Sequence, residues 1–175
     1  MNGIIIYRST YGATEQYARW LADETGFPAV RQREVTQEQL RSAECVIVGC
    51  PIHAGRPSSA GWIRRHWPLL ADKRVILFTT SGAPPALVQG FTASLPEHIR
   101  SRIEYYPLGG RMLFGQLKPA HRLLMRIGQK VEKNPEAKAT MLLDIDNVDR
   151  AGIEPILAGI RVHEQSLDGR IDTNS

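Results

Sequence analysis

The 175-residue chain has few cysteines, no long hydrophobic run and no acidic excess. Cys45 and Cys50, its only cysteines, lie in one apolar segment. A strand of that length would hold their Cα atoms roughly 16 Å apart, beyond the disulfide reach of about 7 Å, so we predict reduced cysteines and a cytoplasmic protein. No stretch approaches the roughly 18 apolar residues that a membrane span needs. No basic leader precedes the first apolar run, so we expect no signal peptide.

The sequence also lacks the residues that several classes of functional site require. The turn after the first apolar run has one glycine and no lysine, which excludes the glycine-rich loops of dinucleotide and nucleoside-triphosphate sites. The ends of the predicted central strands carry no Asp or Glu, so a phosphoryl-receiving signalling domain is excluded. No His, Cys or Asp cluster has metal-ligand spacing, and no serine has a base nearby. We therefore predict no metal site, and we assign no catalytic residue.

The turn at residues 9–14 is the first stretch that predicts a binding site. A β-branched apolar run at residues 3–7 leads into it, and a helical pattern follows at once. Backbone N–H groups at a helix start are unpaired and carry partial positive charge. Ser9, Thr10 and Thr14 add hydroxyl donors at the same point. The turn therefore suits a monophosphate; the alternative is an ordinary strand-to-helix turn with Thr14 as N-cap.

Strand, loop and helix patterns alternate along the chain. The predicted strands cover residues 3–7, 29–35, 45–49, 74–79 and 103–108, and the predicted helices cover residues 14–25 and 36–43, a segment from 58 onwards, and a closing segment after 147. This alternation predicts an α/β doubly wound sandwich with a five-stranded parallel sheet and helices on both faces. We expect a single domain over residues 1–164, followed by a polar, disordered tail at 165–175.

Three loops leave the carboxyl ends of the predicted strands, where such sheets bind ligands. They cover residues 9–14, 50–57 and 80–85. The first is rich in hydroxyl groups and suits phosphate. The other two offer glycine and proline with little charge, which suits close backbone approach to a flat ring. The sequence thus indicates a ligand with a phosphate at one end and a planar group at the other.

These motifs resemble the flavodoxin superfamily. The resemblance rests on Ser-Thr-Tyr-Gly-Ala-Thr at residues 9–14, on the segment 46–56, and on the glycine-containing loop after the 74–79 strand. The segments 95–99, 108–112 and 121–125 are similar to the branch that includes menaquinone-dependent protoporphyrinogen oxidase. The resemblance implies noncovalent FMN, used for electron transfer or as an oxidoreductase of protoporphyrinogen oxidase type. The alternatives are a flavin-free interaction module of the same fold and an FMN-dependent quinone reductase.

The resemblance also implies which residues hold the cofactor. We expect FMN to contact Ser9, Thr10, Tyr11, Gly12, Ala13, Thr14, Pro51, Ile52, His53, Ala54, Gly55, Ser81 and Gly82. His53 has two interpretations: it lies near the reacting edge of the flavin, or it is a loop histidine that bonds local backbone. Cys50 is expected to be a buried small residue rather than a reactive thiol.

Positive charge is concentrated in residues 111–138, the basic insertion, which holds seven Lys or Arg against two Glu although the whole chain carries only +4. From Pro119 its pattern predicts an amphipathic helix. The apolar positions are Ala120, Leu123, Leu124, Ile127 and Val131, and the basic stripe is Arg122, Arg126, Lys130 and Lys133. The helix either covers the core, or docks an anionic partner: a quinone-supplying membrane face, a porphyrin-type substrate, or an acidic redox partner protein. Phe114 is its only aromatic residue, so we expect no nucleic-acid binding.

Overall fold

The computed structural model describes residues 1–82, 89–117, 119–131 and 143–171. The strands are β1 Gly3–Tyr7, β2 Ala29–Arg31, β3 Cys45–His53, β4 Arg56–Pro57, β5 Arg74–Ser81, β6 Ile103–Gly109, β7 Arg111–Met112 and β8 Ile145–Asp146. The α-helices are α1 Ala13–Thr25, α2 Gln37–Ser42, α3 Ala60–Leu70, α4 Glu97–Arg100, α5 Pro119–Val131 and α6 Glu154–Ile171. Short 3-10 helices cover Gln89–Ser94, Phe114–Gln116 and Arg150–Ile153.

Five parallel strands form the central sheet in the order β2-β1-β3-β5-β6. The order confirms the predicted doubly wound α/β fold. The central strand β3 and its neighbour β5 read as nearly unbroken apolar runs because both faces of a parallel sheet are covered. The winding reverses between β1 and β3, so the loops that follow these two strands diverge around one crevice.

Helices bury both faces of the sheet. On one face Ile47 and Phe78 pack in a cluster with residues of α1 and α6. On the other face Val48 and Leu77 pack with residues of α2, α3 and α4. Because successive strand residues point to opposite faces, neighbouring positions such as Ile47 and Val48 supply separate cores. This packing fixes the carboxyl ends of the strands, and with them the loops of the site.

Glycine and threonine set the helix starts near the site and at the sheet edge. Helix α1 is capped by Gly12, whose φ of 86° is left-handed, so Gly12 takes the N-cap position and Thr14 lies inside the first turn. Helix α2 begins after Thr36, as predicted. Its capping box joins the Thr36 hydroxyl to the Gln39 N–H and the Gln39 side chain to the Thr36 N–H.

Residues 51–57 form a β-hairpin where the sequence analysis expects a loop. Strand β3 continues to His53 and pairs antiparallel with β4. The two connecting residues, Ala54 and Gly55, have positive φ angles of 48° and 73°. Two consecutive residues in this conformation match the right-handed twist of paired strands, which is why such short hairpins form. The loop prediction was wrong because Pro51 and Pro57 hide the strand pattern.

Two other bounds differ from the sequence expectations. Strand β2 ends at Arg31, four residues before the predicted end, because the polar residues after it turn away at the sheet edge. Helix α6 continues through Ile171, into the segment 165–175 that the sequence analysis expects to be disordered; residues 172–175 lie outside the described residues. No helix in the described ranges is both long and apolar enough to cross a bilayer.

A small antiparallel ribbon joins the basic insertion to the sheet. Its strands are β7 and β8, with Met112 opposite Ile145. Directly before β7 the Gly110 N–H donates to the Ser81 carbonyl at 2.7 Å, and the Asn147 N–H donates to the Gly110 carbonyl at 3.0 Å. The chain therefore leaves the domain and re-enters it at one place, next to the carboxyl end of β5.

Candidate functional site

A cavity of about 360 Å³ lies at the carboxyl ends of β1, β3 and β5. Its volume falls in the range of small-molecule sites. Eleven of the thirteen predicted site residues line it; Gly12 and Gly55 do not. Both of those glycines have left-handed backbone, so each shapes a loop without reaching the cavity wall. The structure thus brings residues of all three predicted loops together in one site; residues 83–85 of the third loop lie outside the described residues.

Hydroxyl groups and the start of α1 form one end of the cavity. The Ser9 Oγ accepts the Gly12 N–H at 3.1 Å. The buried hydroxyls of Thr14 and Thr80 are 2.8 Å apart, so one donates to the other and one hydroxyl hydrogen is left over. With the unpaired N–H groups of the first helical turn, these hydroxyls form a donor set suited to an anion.

Glu15 places a carboxylate in the first turn of α1, and basic side chains offset its charge. Its Oε1 lies 2.9 Å from Arg19 Nη2 and 3.6 Å from Arg31 Nη2. Partial burial opposes ionisation, but the hydrogen bond and charge of Arg19, with the charge of Arg31, lower the pKa of Glu15 overall. The negative group is therefore paired on the outer side of the helix, which limits its repulsion of an anion in the cavity.

Three aromatic rings also meet at the cavity, those of Tyr11, His53 and His121. The Tyr11 hydroxyl lies 2.5 Å from His121 Nδ1. The centroid of the His121 ring is 5.9 Å from that of Tyr11 and 6.1 Å from that of His53, in edge-to-face arrangements. His121 belongs to α5, so the basic insertion contributes directly to this site.

His53 lines the cavity, and its surroundings lower its pKa. Desolvation of the ring, the charge of Arg8 and the charge of His121 each lower the pKa of His53. The neutral imidazole is therefore favoured near neutral pH, with one nitrogen able to donate and the other able to accept. His53 thus lines the cavity, and both interpretations of this residue stay predictions.

Both cysteines are buried, and neither lines the cavity. Cys45 and Cys50 are completely inaccessible to solvent. Burial raises the pKa of Cys45 to about 11 and also raises the pKa of Cys50. A protonated thiol is a poor nucleophile, so these side chains act as small core residues, as the sequence analysis expects.

Sequence reasoning missed six residues that line the cavity: Thr80, Gly110, Arg111, Met112, Leu117 and His121. Five of them follow the last strand of the sheet, on or beside the ribbon and α5. The sequence contains one feature that could have pointed to this part of the cavity, the glycine pair Gly109-Gly110. A Cβ at position 110 would lie 2.7 Å from the Ser81 backbone, so only glycine permits this approach.

A larger opening of about 1050 Å³ lies at the opposite, amino-terminal edge of the sheet. Several of its charged groups already have partners: Lys73 Nζ donates to the carbonyl of Arg41 at 3.0 Å, and Arg74 pairs with Glu104. Ligands of doubly wound sheets bind at the carboxyl edge, so we assign the site to the smaller cavity. Across the described ranges, no group of three or more His, Cys, Asp or Glu could hold a metal ion.

Comparison with solved structures finds the same fold at low sequence identity. The Trp repressor binding protein from Bacillus subtilis is 13% identical, with a TM-score of 0.50 over 81% of this chain and 95% of that one. The flavodoxin WrbA-like protein from Agrobacterium tumefaciens is 21% identical, with a TM-score of 0.45 over 67% and 80%. Comparison with curated protein sequences gives no match. The family model described as "Flavodoxin domain" matches residues 4–138, more than three quarters of the sequence, and the chain therefore belongs to the flavodoxin domain family.

Proposed function

We propose that the cavity binds FMN noncovalently and that the protein is a flavin-dependent redox protein. The observation that carries the proposal is the convergence of residues from three loops on one cavity. Its lining combines hydroxyl groups at a helix N-terminus with the aromatic rings of Tyr11, His53 and His121. Membership of the flavodoxin domain family supports the same cofactor class.

The hydroxyl end fits the phosphate of FMN. Ser9, Thr10 and Thr14 line it without any lysine or arginine from the loop itself. Gly12 adds no side chain, and a Cβ at that position would meet no atom within 4 Å. Neutral donors and backbone N–H groups suit a monophosphate at a helix start. The sequence features that exclude a nucleoside triphosphate favour this smaller group.

The aromatic and apolar side chains of the lining fit the ring system of FMN. His53 and Tyr11 supply planar side chains, and Met112 and Leu117 supply apolar surface at the same cavity. Gly82, in the loop after β5, has no side chain, so its backbone can approach a bound ring closely. A Cβ at this position would lie 3.4 Å from the Ile145 side chain. Apolar lining with a few placed polar groups is typical of sites for flat cofactors.

Bound FMN would supply the transfer of electrons, and the protein would hold and orient it. Tyr11, His53 and His121 provide groups that can hold or move a proton beside the ring. The neutral form of His53, favoured by its lowered pKa, can accept a proton at one ring nitrogen. The described lining of the cavity contains no carboxylate, so these three side chains are the ones we assign to proton transfer there.

Titration with FMN, riboflavin and FAD tests the proposal. We expect FMN to bind more tightly than riboflavin, because the phosphate gains the hydroxyl and N–H donors. Thr14→Val should weaken FMN affinity about tenfold, the loss of roughly one hydrogen bond to a charged group, and should leave riboflavin affinity unchanged. Thr25→Val is the matched control: it removes a hydroxyl that donates to the Leu21 carbonyl at the far end of α1. Equal FMN affinities of the two variants would place the phosphate elsewhere.

A second candidate is oxidation of a porphyrinogen with a quinone as electron acceptor. It is favoured by the position of His121, through which the basic insertion reaches the cavity and could receive an anionic substrate. Anaerobic oxidation of protoporphyrinogen with a menaquinone analogue tests it. Turnover above the nonenzymatic rate supports an enzyme. Without such turnover, an electron carrier between protein partners is the better interpretation.

A further inference from the structure

Helix α5 presents its apolar side to solvent. The exposed fractions of Leu123, Ile127 and Val131 are 60%, 51% and 71%. Their spacing of four residues aligns them along one stripe of the helix. Branched apolar side chains in a continuous exposed stripe are uncommon on the surface of a soluble domain, and such a patch indicates an interaction site.

The opposite side of α5 is the one that faces the domain. His121 reaches Tyr11 in the cavity wall, and Arg122 Nη2 donates to the carbonyl oxygen of Gly115 at 2.8 Å. The guanidinium groups of Arg122 and Arg126 lie 5.8 Å and 5.9 Å from the centroid of the Phe114 ring. The contacts of His121 and Arg122 hold that side of the helix against the domain and leave the stripe of Leu123, Ile127 and Val131 outward, while Arg126 stays exposed beside the Phe114 ring.

Basic side chains flank the exposed stripe. Arg126 and Lys130 are exposed and lie one helical position before Ile127 and Val131. The segment 111–131 contains five Lys or Arg and not one Asp or Glu. An apolar stripe with Arg126 and Lys130 beside it complements a surface that is apolar inside and anionic outside. That combination describes a bilayer with anionic headgroups.

We propose that α5 is an interfacial helix that docks the protein on anionic lipid bilayers. Leu123, Ile127 and Val131 enter the boundary between headgroups and acyl chains, and Arg126 and Lys130 contact the headgroups. His121, at the start of the same helix, lines the cavity from the side opposite the stripe, so docking holds the cavity one helix diameter, roughly 10 Å, from the lipid surface. The proposal does not depend on which cofactor the cavity holds.

Co-sedimentation of the full chain with vesicles tests the proposal. We expect binding to phosphatidylcholine vesicles that contain phosphatidylglycerol, and much weaker binding to vesicles of phosphatidylcholine alone. The double variant Leu123→Glu/Ile127→Glu should lose at least about tenfold in vesicle affinity. Val162→Glu is the matched control, because Val162 is also 67% exposed but lies on α6. All these positions are on the surface, so far-UV circular dichroism should show unchanged folding.

The charges are tested separately. Arg126→Gln/Lys130→Gln should remove the preference for phosphatidylglycerol, and added salt should do the same to the wild-type protein. The proposal is overturned if the wild type fails to bind the anionic vesicles, or if the Leu123→Glu/Ile127→Glu variant binds as well as Val162→Glu does. It is also overturned if sedimentation velocity shows a wild-type dimer that this double variant dissociates while vesicle binding is unchanged, since a second copy would then cover the stripe.

Discussion

Gly12 matters through its backbone rather than through the space around it. Its φ of 86° lies in the left-handed region, while a Cβ there would meet no atom within 4 Å. Gly12→Val should destabilise the fold by about 1–2 kcal/mol, because a branched residue strains this conformation. Gly12→Asn should cost much less, since asparagine tolerates left-handed backbone. Urea unfolding measures the free energy of unfolding of both variants. Equal losses of stability in Gly12→Val and Gly12→Asn would contradict the conformational explanation.

Glu104 should make stability depend on acid pH. Its two carboxylate oxygens lie 2.7 Å and 2.8 Å from Nε and Nη2 of Arg74, whose side chain is only 10% exposed. This hydrogen-bonded pairing lowers the pKa of Glu104 below 4.5, although burial opposes the shift. The stabilisation is therefore fully present above pH 4.5 and is lost as the pH falls through the lowered pKa.

Glu104→Gln tests this dependence. At neutral pH it should reduce the free energy of unfolding by about 1–2 kcal/mol, since Arg74 keeps a buried charge without its ionic partner. The difference from the wild type should shrink in acid, as the wild-type carboxyl protonates. Glu97→Gln is the control, because the Glu97–Arg100 pair is exposed on both sides and should contribute little. Denaturant unfolding over a pH series measures the free energy of unfolding of the wild type and of both variants. If the difference between Glu104→Gln and the wild type did not change with pH, this would argue against the pairing.

Among the helices, α2 depends most clearly on its cap. It has only six residues, and Thr36 and Gln39 satisfy two backbone N–H groups at its start. Thr36→Ala should lower the free energy of unfolding by about 1 kcal/mol, the usual contribution of an N-cap side chain. Thr36→Ser keeps the accepting hydroxyl and should stay close to the wild type. Thermal unfolding compares the three proteins, and an equal loss in both variants would assign the effect to the threonine methyl group.

Helix α5 shows what periodicity can and cannot predict. The spacing of its apolar residues predicted an amphipathic helix starting at Pro119, and the structure has that helix. Spacing says which residues share a side, but not which side meets the protein. That choice depends on contacts distant in sequence, above all the 2.5 Å contact between His121 and Tyr11. For the same reason His121 was not predicted as a site residue.

At the scale of the molecule, the sheet and its three loops could be predicted because each signal is local. An apolar strand, a glycine-containing turn and a helix start lie next to one another in sequence, and the parallel topology brings their ends together. The ribbon of β7 and β8 could not be predicted in this way. Its strands have two residues each and pair across more than thirty positions, and such short strands leave no periodic pattern.

The ribbon makes the segment between its strands separable from the fold. We expect that replacing residues 113–144 by Asn-Gly, which favours a two-residue turn between Met112 and Ile145, leaves a folded domain. Loss of the buried Leu117 should cost about 1–3 kcal/mol of stability. Cooperative thermal unfolding and a native far-UV spectrum measure the outcome. An unfolded or aggregated product would show that the sheet needs this segment. Under the membrane proposal, the shortened protein should also fail to bind anionic vesicles.

The pairing of β7 with β8 has a consequence for a cleaved chain. Strands β1 to β6 precede the ribbon in sequence, whereas the Ile156 and Leu157 side chains that cover one face of the sheet follow it. A single peptide bond cut between residues 113 and 144 would leave both pieces held by the ribbon and by that buried face. The two fragments should separate on a denaturing gel and travel as one particle in gel filtration. The domain would then be, in effect, a heterodimer made from one gene product.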